Sequence, residues 1–332
     1  MLLRKFREPG PDVIVLIIIF LFLIWLNAFL NPQLPSSFDF DNSPMPLFAL
    51  LLAIAGSNPL INVMLSFLFV LLVAFLLVNF NTTVFFISER TFLPALIYVL
   101  LSGFFPQQQI LNPALPAVIF LMLALKRIMD SYKIQGTAYS FFDTGLLIST
   151  GSLFYAGFIW FGLLLFIGIA ILRPVNIKEI VISLLGLATP WFIICGFYYI
   201  SGKDLSLLLS EVTYNLFTAD KNFVFSGLTI AVLIIAGIIL IICSLYLLSA
   251  INSKKIKSRK TFMLLIWLFV ISVGTYFIFK PVSVEIFWIT AVPVSYIISH
   301  YFVFKKKRLI PEILLTTLFI LVAVIQIVGL IK

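Results

Sequence analysis

The chain is built from a succession of apolar runs, each about as long as a membrane is thick. A helix needs about 20 residues to cross a hydrocarbon core of about 30 Å, and the first run extends from Val13 to Leu30. Hydrophobic residues make up 62% of the 332 residues and charged residues 11%, whereas soluble domains have about 45–50% and about 25%. A water-soluble fold of this size cannot bury so much apolar surface. The sequence therefore predicts an all-α protein embedded in a membrane.

Polar breaks between the apolar runs predict a polytopic transmembrane helical bundle of about eleven spans, forming one integral membrane domain over residues 1–332. The predicted spans are 13–30, 59–80, 84–105, 112–126, 138–154, 156–172, 180–200, 223–250, 261–279, 285–304 and 309–331. Segment 46–56 is too short to cross, and segment 203–218 places leucines and a valine at helical spacing between charged residues. Segment 203–218 is therefore predicted to be a helix lying in the outer membrane interface, and segment 46–56 either such a helix or a re-entrant piece.

The basic residues predict which side of the membrane each loop faces. Cytoplasmic loops of membrane proteins carry an excess of Lys and Arg. With a cytoplasmic N-terminus, 18 of the 22 basic residues fall in cytoplasmic loops, and the external side keeps Lys203, Lys221, Lys280 and Lys332. We therefore predict a multi-pass protein of the cell inner membrane with its N-terminus in the cytoplasm. This clustering in short loops argues against nucleic acid as a partner, despite the net charge of +9.

Two aspartates in the first predicted external loop are candidate catalytic residues. Asp39 and Asp41 lie two positions apart in the segment NPQLPSSFDFDNSP. In an extended chain this spacing directs both side chains to the same side, where the two carboxylates would share a proton or a cation. A solvated, proline-rich turn with two ordinary acidic residues explains the same sequence. Both interpretations stay open.

The third predicted span has too few apolar residues to cross the membrane alone. The charged residues next to it would then lie inside the membrane, and we treat them as candidate substrate-binding residues. The stretch 91–105 has only 15 residues, or about 22 Å of helix. To cross the membrane the helix must begin near Val84, and this brings Glu89 and Arg90 toward the hydrocarbon. Charged groups at that depth are costly and usually face a cavity or a partner on another helix.

Asp143, about one turn into the fifth predicted span, is a third candidate substrate-binding residue. It is also a candidate ion-pair partner for Arg90, Lys126 or Arg127. The alternative is a cluster of interfacial charges whose long side chains reach toward water. The sequence does not separate these two interpretations.

The next predicted external turn, FFPQQQILNPALP, carries an unusual density of amides. Gln107, Gln108, Gln109 and Asn112 are expected at the outer mouth of the bundle. A polar turn at this place needs no function, but primary amides both donate and accept hydrogen bonds and so suit the hydroxyl groups of sugars.

The sequence contains no cofactor motif and no complete catalytic set, so neither a cofactor nor a metal site is predicted. His300 is the only histidine, and it is expected to be a polar tip near the inner interface. Cys195 and Cys243 both lie inside apolar runs, where buried structural thiols are the common outcome.

Four blocks between about Ser88 and Pro190 resemble a known protein family. The blocks are SERTFLPALIYVLLSGFFP, NPALPAVIFLMLALKRI, FFDTGLLISTGSLFYAGFIWF and ILRPVNIKEIVISLLGLATPW. They resemble an uncharacterised family of multi-pass inner-membrane proteins from Gram-negative bacteria, a domain of unknown function. Some members carry the label carotenoid monooxygenase. This chain does not fit that label, because such oxygenases hold iron with several histidines and His300 stands alone.

The layout also resembles, more weakly, the C-type membrane glycosyltransferases. This resemblance implies an enzyme that uses a polyprenyl-linked sugar at the outer face, with Asp39 or Asp41 as a base or metal ligand. The loop here is short and its acidic motif differs from that family's usual one. Three functions therefore stay open. We expect first a subunit or scaffold of an envelope-assembly complex, then such an enzyme, then a transporter or lipid flippase. The expected partners are membrane lipids, other membrane-protein subunits and a polyprenyl-linked substrate.

Overall fold

The computed structural model describes residues 2–7, 10–33, 43–132, 138–174, 176–220, 223–305 and 309–331. These residues form helices and contain no strand. The helices are α1 (Leu2–Arg7), α2 (Pro11–Ile24), α3 (Leu26–Leu30), α4 (Pro46–Ala55), α5 (Pro59–Val84), α6 (Leu93–Leu101), α7 (Ala114–Asp130), α8 (Ala138–Ser152), α9 (Gly162–Leu172), α10 (Ile177–Ile200), α11 (Leu205–Thr213), α12 (Gly227–Ala250), α13 (Ile256–Ile278), α14 (Phe287–Phe304) and α15 (Leu309–Ile331). The all-α prediction is confirmed for this part of the chain.

Among the described residues, six helical segments are long and apolar enough to cross a membrane. They are Pro59–Val84, Ile177–Ile200, Gly227–Ser253, Ile256–Ile278, Val284–Phe304 and Leu309–Leu330. Shorter apolar helices occupy Pro11–Ile24, Pro46–Ala55 and Ala156–Leu172. The helices predicted over 46–56 and 203–218 are present as α4 and as α11, which a π-helical turn extends through Tyr214–Thr218.

The predicted span 84–105 is wrong in its first half. Helix α5 continues to Val84, residues 85–92 are not helical, and α6 has only nine residues, or about 13 Å. The cause is local, because the Asn81 side chain accepts a hydrogen bond from the Ile87 amide and donates one to the Glu89 carbonyl. These bonds hold the chain in a turn after α5. Glu89 and Arg90 therefore lie in a loop and not in a helix.

Helices α6 and α14 form the centre of the bundle. All nine residues of α6 are buried, and so are 89% of the residues in the apolar stretch of α14. Polar groups at this depth must be satisfied within the protein. The Ser295 hydroxyl donates to the Ala291 carbonyl of its own helix at 2.6 Å, and the Tyr296 hydroxyl donates to the Leu77 carbonyl of α5 at 2.7 Å.

Side-chain contacts join the helix ends into two separate groups. At one end Arg7 meets Glu89, the Leu3 amide meets Glu312, and the Lys260 ammonium meets the Leu172 carbonyl. We call this the basic end, because Lys305 and the segment 251–260, which carries five Lys and Arg residues, lie there together with the loop 85–92. The contacts at the other end, which we call the opposite end, are made by segments 24–33, 43–48, 102–113, 153–161, 214–226, 279–286 and 325–330.

Candidate ligand-binding site

The opposite end holds a cavity of about 730 Å³ that is lined by amide side chains. Four separate parts of the chain enclose it, namely 27–33, 105–110, 223–229 and the end of α15. The polar lining consists of Asn27, Asn31, Gln33, Gln107, Gln109, Ser226 and Thr229. None of the described lining residues is charged. The volume lies within the range of small-molecule sites, about 300–1,000 Å³.

Hydrogen bonds hold one wall of this amide cavity in place. The Asn31 amide donates to Asn27 Oδ1 at 3.0 Å, and Asn27 Nδ2 donates to the Gly329 carbonyl near the end of α15 at 3.2 Å. The second bond ties α3 to α15. The Asn31 side chain is exposed and the Asn27 side chain is half buried, so the pair presents polar atoms at the surface of the cavity.

Gln109 lies deeper in the same lining and is incompletely satisfied. Its side chain is fully buried, and Nε2 donates to the Ile24 carbonyl at 3.3 Å and to the Ser102 carbonyl at 3.4 Å. Its Oε1 has no hydrogen-bond partner among the described residues. Buried polar atoms are nearly always hydrogen-bonded, and a water molecule or a ligand group in the cavity would supply the missing donor.

The amides expected at the outer mouth divide between two roles. Gln107 and Gln109 line the cavity. Gln108 and Asn112 are buried beside it, with Asn112 Nδ2 donating to Gln108 Oε1 at 2.7 Å and Asn112 Oδ1 accepting from the Ala114 amide at 2.8 Å. Asn112 thus joins Gln108 to the first amide of α7 and supports the turn. The sequence pattern indicated the right segment but did not separate these two roles.

A narrower acidic cleft lies next to the amide cavity, and the two share Phe223. It encloses about 50 Å³, which is room for a few water molecules. Glu285 is only 3% exposed and accepts hydrogen bonds from the Tyr155 hydroxyl at 2.9 Å and from the Ser283 amide at 2.8 Å. Asp220, also in the lining, forms an ion pair with Lys280.

The Tyr155 hydroxyl is held in its protonated form. Tyr155 lies between two predicted spans, and its burial, followed by the nearby Glu285 carboxylate, raises its pKa well above the ordinary value of 10.0. Tyr155 therefore acts as a hydrogen-bond donor that fixes the Glu285 carboxylate at the base of the cleft. This pair was not expected from the sequence, because Tyr155 and Glu285 come from distant parts of the chain.

The predicted catalytic residues Asp39 and Asp41 lie outside the described residues. The first described residue after them is Ser43, which lines the acidic cleft. The Asn215 side chain donates a hydrogen bond to the Ser43 carbonyl at 2.7 Å. The chain that follows the two aspartates is therefore fixed at the cleft.

The predicted substrate-binding residues are not brought together. Glu89 forms a two-pronged ion pair with Arg7 at 3.1 Å, and Arg90 is exposed. Asp143 pairs with Arg127 at 3.4 Å, one of its three expected partners. Both pairs lie at the basic end, and neither lines the amide cavity.

His300 is not the interfacial polar tip that its position predicted. It is fully buried, with Tyr246, Phe262 and Phe304 packed around its ring, and neither ring nitrogen has a hydrogen-bond partner among the described residues. Among all the residues that the structure describes, no three His, Cys, Asp or Glu side chains lie close enough together to hold a metal ion.

The comparison with protein families places the sequence in a family without a known activity. The sequence model of DUF6427, described as a family of unknown function, matches residues 42–332. The chain belongs to this family. The DUF6427 match covers the acidic cleft and three of the four segments around the amide cavity, and residues 27–33 precede it. No curated protein and no solved structure matches the chain significantly.

Proposed function

We propose that this DUF6427 protein is a multi-pass protein of the inner membrane that binds the polar headgroup of a lipid or lipid-linked substrate at the outer face. The observation that carries this proposal is the amide cavity, which is large enough for a headgroup and lies at the opposite end from the basic loops. Basic loops face the cytoplasm. The cavity would then open at the outer surface of the membrane, next to the helices that face lipid.

The proposed topology has about eleven crossings and a cytoplasmic N-terminus. The grouping of helix ends supports it, because the segments proposed to cross run alternately between the basic end and the opposite end, whereas α4 and α11 do not cross. An odd number of crossings places the C-terminus outside. Alkaline phosphatase fused after residue 332 should then be active, and green fluorescent protein fused there should be dark. A fluorescent fusion with inactive phosphatase would contradict the topology.

A cavity-filling variant tests the proposed binding. Ala28 lines the amide cavity and is half buried, so Ala28→Trp would occupy the space of a headgroup. Ala250, a half-buried alanine at the basic end, supplies the matched control Ala250→Trp. The probe is the total polar lipid extract of a Gram-negative host, with retained lipids counted by native mass spectrometry. Ala28→Trp should retain fewer lipid molecules than the control, and equal retention would contradict binding in this cavity.

A second candidate function is catalysis on a polyprenyl-linked sugar at the same face. The attachment of Ser43 at the acidic cleft favours it, because Asp39 and Asp41 immediately precede this residue and Glu285 lies in the cleft. Alanine at both aspartates should then abolish complementation of a strain that lacks the gene. A subunit or scaffold of an envelope-assembly complex would instead tolerate this change.

The scaffold hypothesis has its own test. Gly151 is buried, and a side chain there would meet the Phe158 ring inside the bundle, so Gly151→Leu would disturb the fold itself. The scaffold hypothesis is tested at an exposed apolar side chain instead: Phe192 is 75% exposed on α10, and Phe192→Ala should lose partner subunits on co-purification. Transport requires charged or polar groups around a central cavity. Glu89 and Asp143 instead lie in separate ion pairs at the basic end, so no observation on these residues favours a transporter or flippase.

A further inference from the structure

We propose that the headgroup bound in the amide cavity is hydroxyl-rich and uncharged, as in a sugar joined to a lipid. This inference rests on the proposed function and specifies its ligand. Each primary amide offers two N–H donors and a carbonyl acceptor. Sugar hydroxyls likewise donate and accept, so a ring of amides satisfies them from several directions.

The lining favours a neutral ligand over an anionic one. Phosphate and carboxylate groups are usually bound by Arg, Lys or several backbone amides. None of the described residues around the cavity is an Arg or a Lys. The five lining amides offer partial charges of both signs, which suit hydroxyls better than a full negative charge.

The buried amide at the back of the cavity adds an independent indication of a ligand. Gln109 Oε1 accepts no hydrogen bond from the described residues, although the side chain is fully buried. A hydroxyl donor from the headgroup, directly or through one water molecule, would complete its hydrogen bonding. Gln107, exposed at the entrance, would contact the same headgroup from the outer side.

The amide cavity also has aromatic and aliphatic walls, which suit the apolar parts of a lipid-linked sugar. The Phe105 and Phe223 rings meet edge to face at 5.9 Å and both line the cavity, which offers an apolar surface to the C–H face of a sugar ring. Ile325, Val328 and Leu330 of α15 continue this lining. The neighbouring Ile327 is 55% exposed on the outer surface of α15. A lipid tail would therefore leave the cavity along α15.

The experiment compares photoactivatable lipids that share the same acyl chains. The protein is placed in phosphatidylcholine nanodiscs with a glucosyl-diacylglycerol probe, a phosphatidylglycerol probe or a diacylglycerol probe. We expect the glucosyl probe to crosslink most and the crosslinks to map to 105–110 and 325–330. Asn31→Leu with Gln107→Leu should lower this crosslinking about tenfold, since two hydrogen bonds are lost. These side chains are exposed, so the fold should persist.

Asn252→Leu is the matched control, because Asn252 is an exposed amide at the basic end; it should crosslink like the unmodified protein. Equal or stronger crosslinking of phosphatidylglycerol would overturn the inference, because an anionic headgroup would then bind at least as well as a neutral one, while leaving the proposed headgroup binding in place. If none of the three probes crosslinks at the cavity, the proposed function itself fails. If the double variant crosslinks the glucosyl probe normally, the amides do not recognise the sugar.

Discussion

The two ends of the bundle differ in the polar interactions that they contain. At the basic end, Arg7, Arg127 and Arg173 each meet a carboxylate on another segment. The opening beside Arg173 is a shallow surface depression. At the opposite end, neutral amides surround a deep cavity and Gln109 keeps an acceptor without a partner. The basic end is therefore held by ion pairs between segments, whereas the opposite end, which has the Asp220–Lys280 ion pair, also keeps a neutral amide cavity large enough for a ligand.

The largest effect is expected from the most buried ion pair at the basic end. The Arg173 and Glu179 side chains are 14% and 12% exposed and meet at 2.9 Å, and Arg173 also donates to the Ser131 carbonyl. Arg173→Ala would leave a buried carboxylate unpaired and should lower the free energy of unfolding by about 3–5 kcal/mol. Unfolding in mixed micelles measures this loss.

The control for this ion pair replaces both partners. Arg173→Met combined with Glu179→Met removes both charges and keeps the packing volume, so it should recover most of the lost stability. If the single and the double variant are equally unstable, the hydrogen bonds from Arg173 to the Ser131 carbonyl, which both variants lose, hold this end together and the ion pair does not. The comparison between the two ends would then lose its physical basis.

A smaller effect on stability is expected at the opposite end. Gln109→Met removes an amide whose two donor contacts are long, at 3.3 and 3.4 Å, and whose acceptor has no partner. In a bilayer of phosphatidylcholine alone the loss should be about 1 kcal/mol or less, whereas crosslinking of the glucosyl probe should fall. A loss of several kcal/mol with unchanged crosslinking would make Gln109 a structural amide.

The more exposed ion pair at the basic end, Arg7–Glu89, should contribute still less to stability than Gln109. Arg7 and Glu89 are 29% and 41% exposed, so solvent screens their attraction. Arg7→Met should lower the free energy of unfolding by less than about 1 kcal/mol, and the difference should vanish in about 1 M salt. A loss that persists in high salt would show that the Arg7 stem packs against the bundle and does not act through its charge.

The smallest effect concerns pH at the opposite end. The Asp204 carboxylate accepts a hydrogen bond from the Ser206 amide at the start of α11, and this bond lowers its pKa below the ordinary 3.8. A lowered pKa stabilises the helix start above the unfolded-state pKa, and the effect is lost as the pH falls through the folded-state pKa. Amide hydrogen exchange at Ser206 should therefore show less protection below about pH 3.8. Asp204→Asn keeps the cap and should remove this pH dependence.

The helices were predictable where a single apolar run decides the outcome. The run 309–331 is α15 with the same limits, and the short segment 46–56 is a helix, α4, as predicted. The span 84–105 was wrong because the Asn81 side chain holds the loop 85–92, an interaction that apolar run length does not reveal. Only some of the residues that line the amide cavity could be predicted from the sequence. Gln107 and Gln109 signalled it locally, but Asn27, Asn31 and the end of α15 join them only through folding.

The most direct test of ligand binding at the outer face uses single cysteines in a chain whose Cys195 and Cys243 are replaced with alanine. Gln107→Cys lies at the amide cavity and Asn252→Cys at the basic end. A membrane-impermeant maleimide should label the first in intact spheroplasts and the second only after permeabilisation. Added glucosyl-diacylglycerol should slow the first reaction alone. Labelling of Asn252→Cys from outside, or no protection of Gln107→Cys by the lipid, would contradict a ligand site on the outer face.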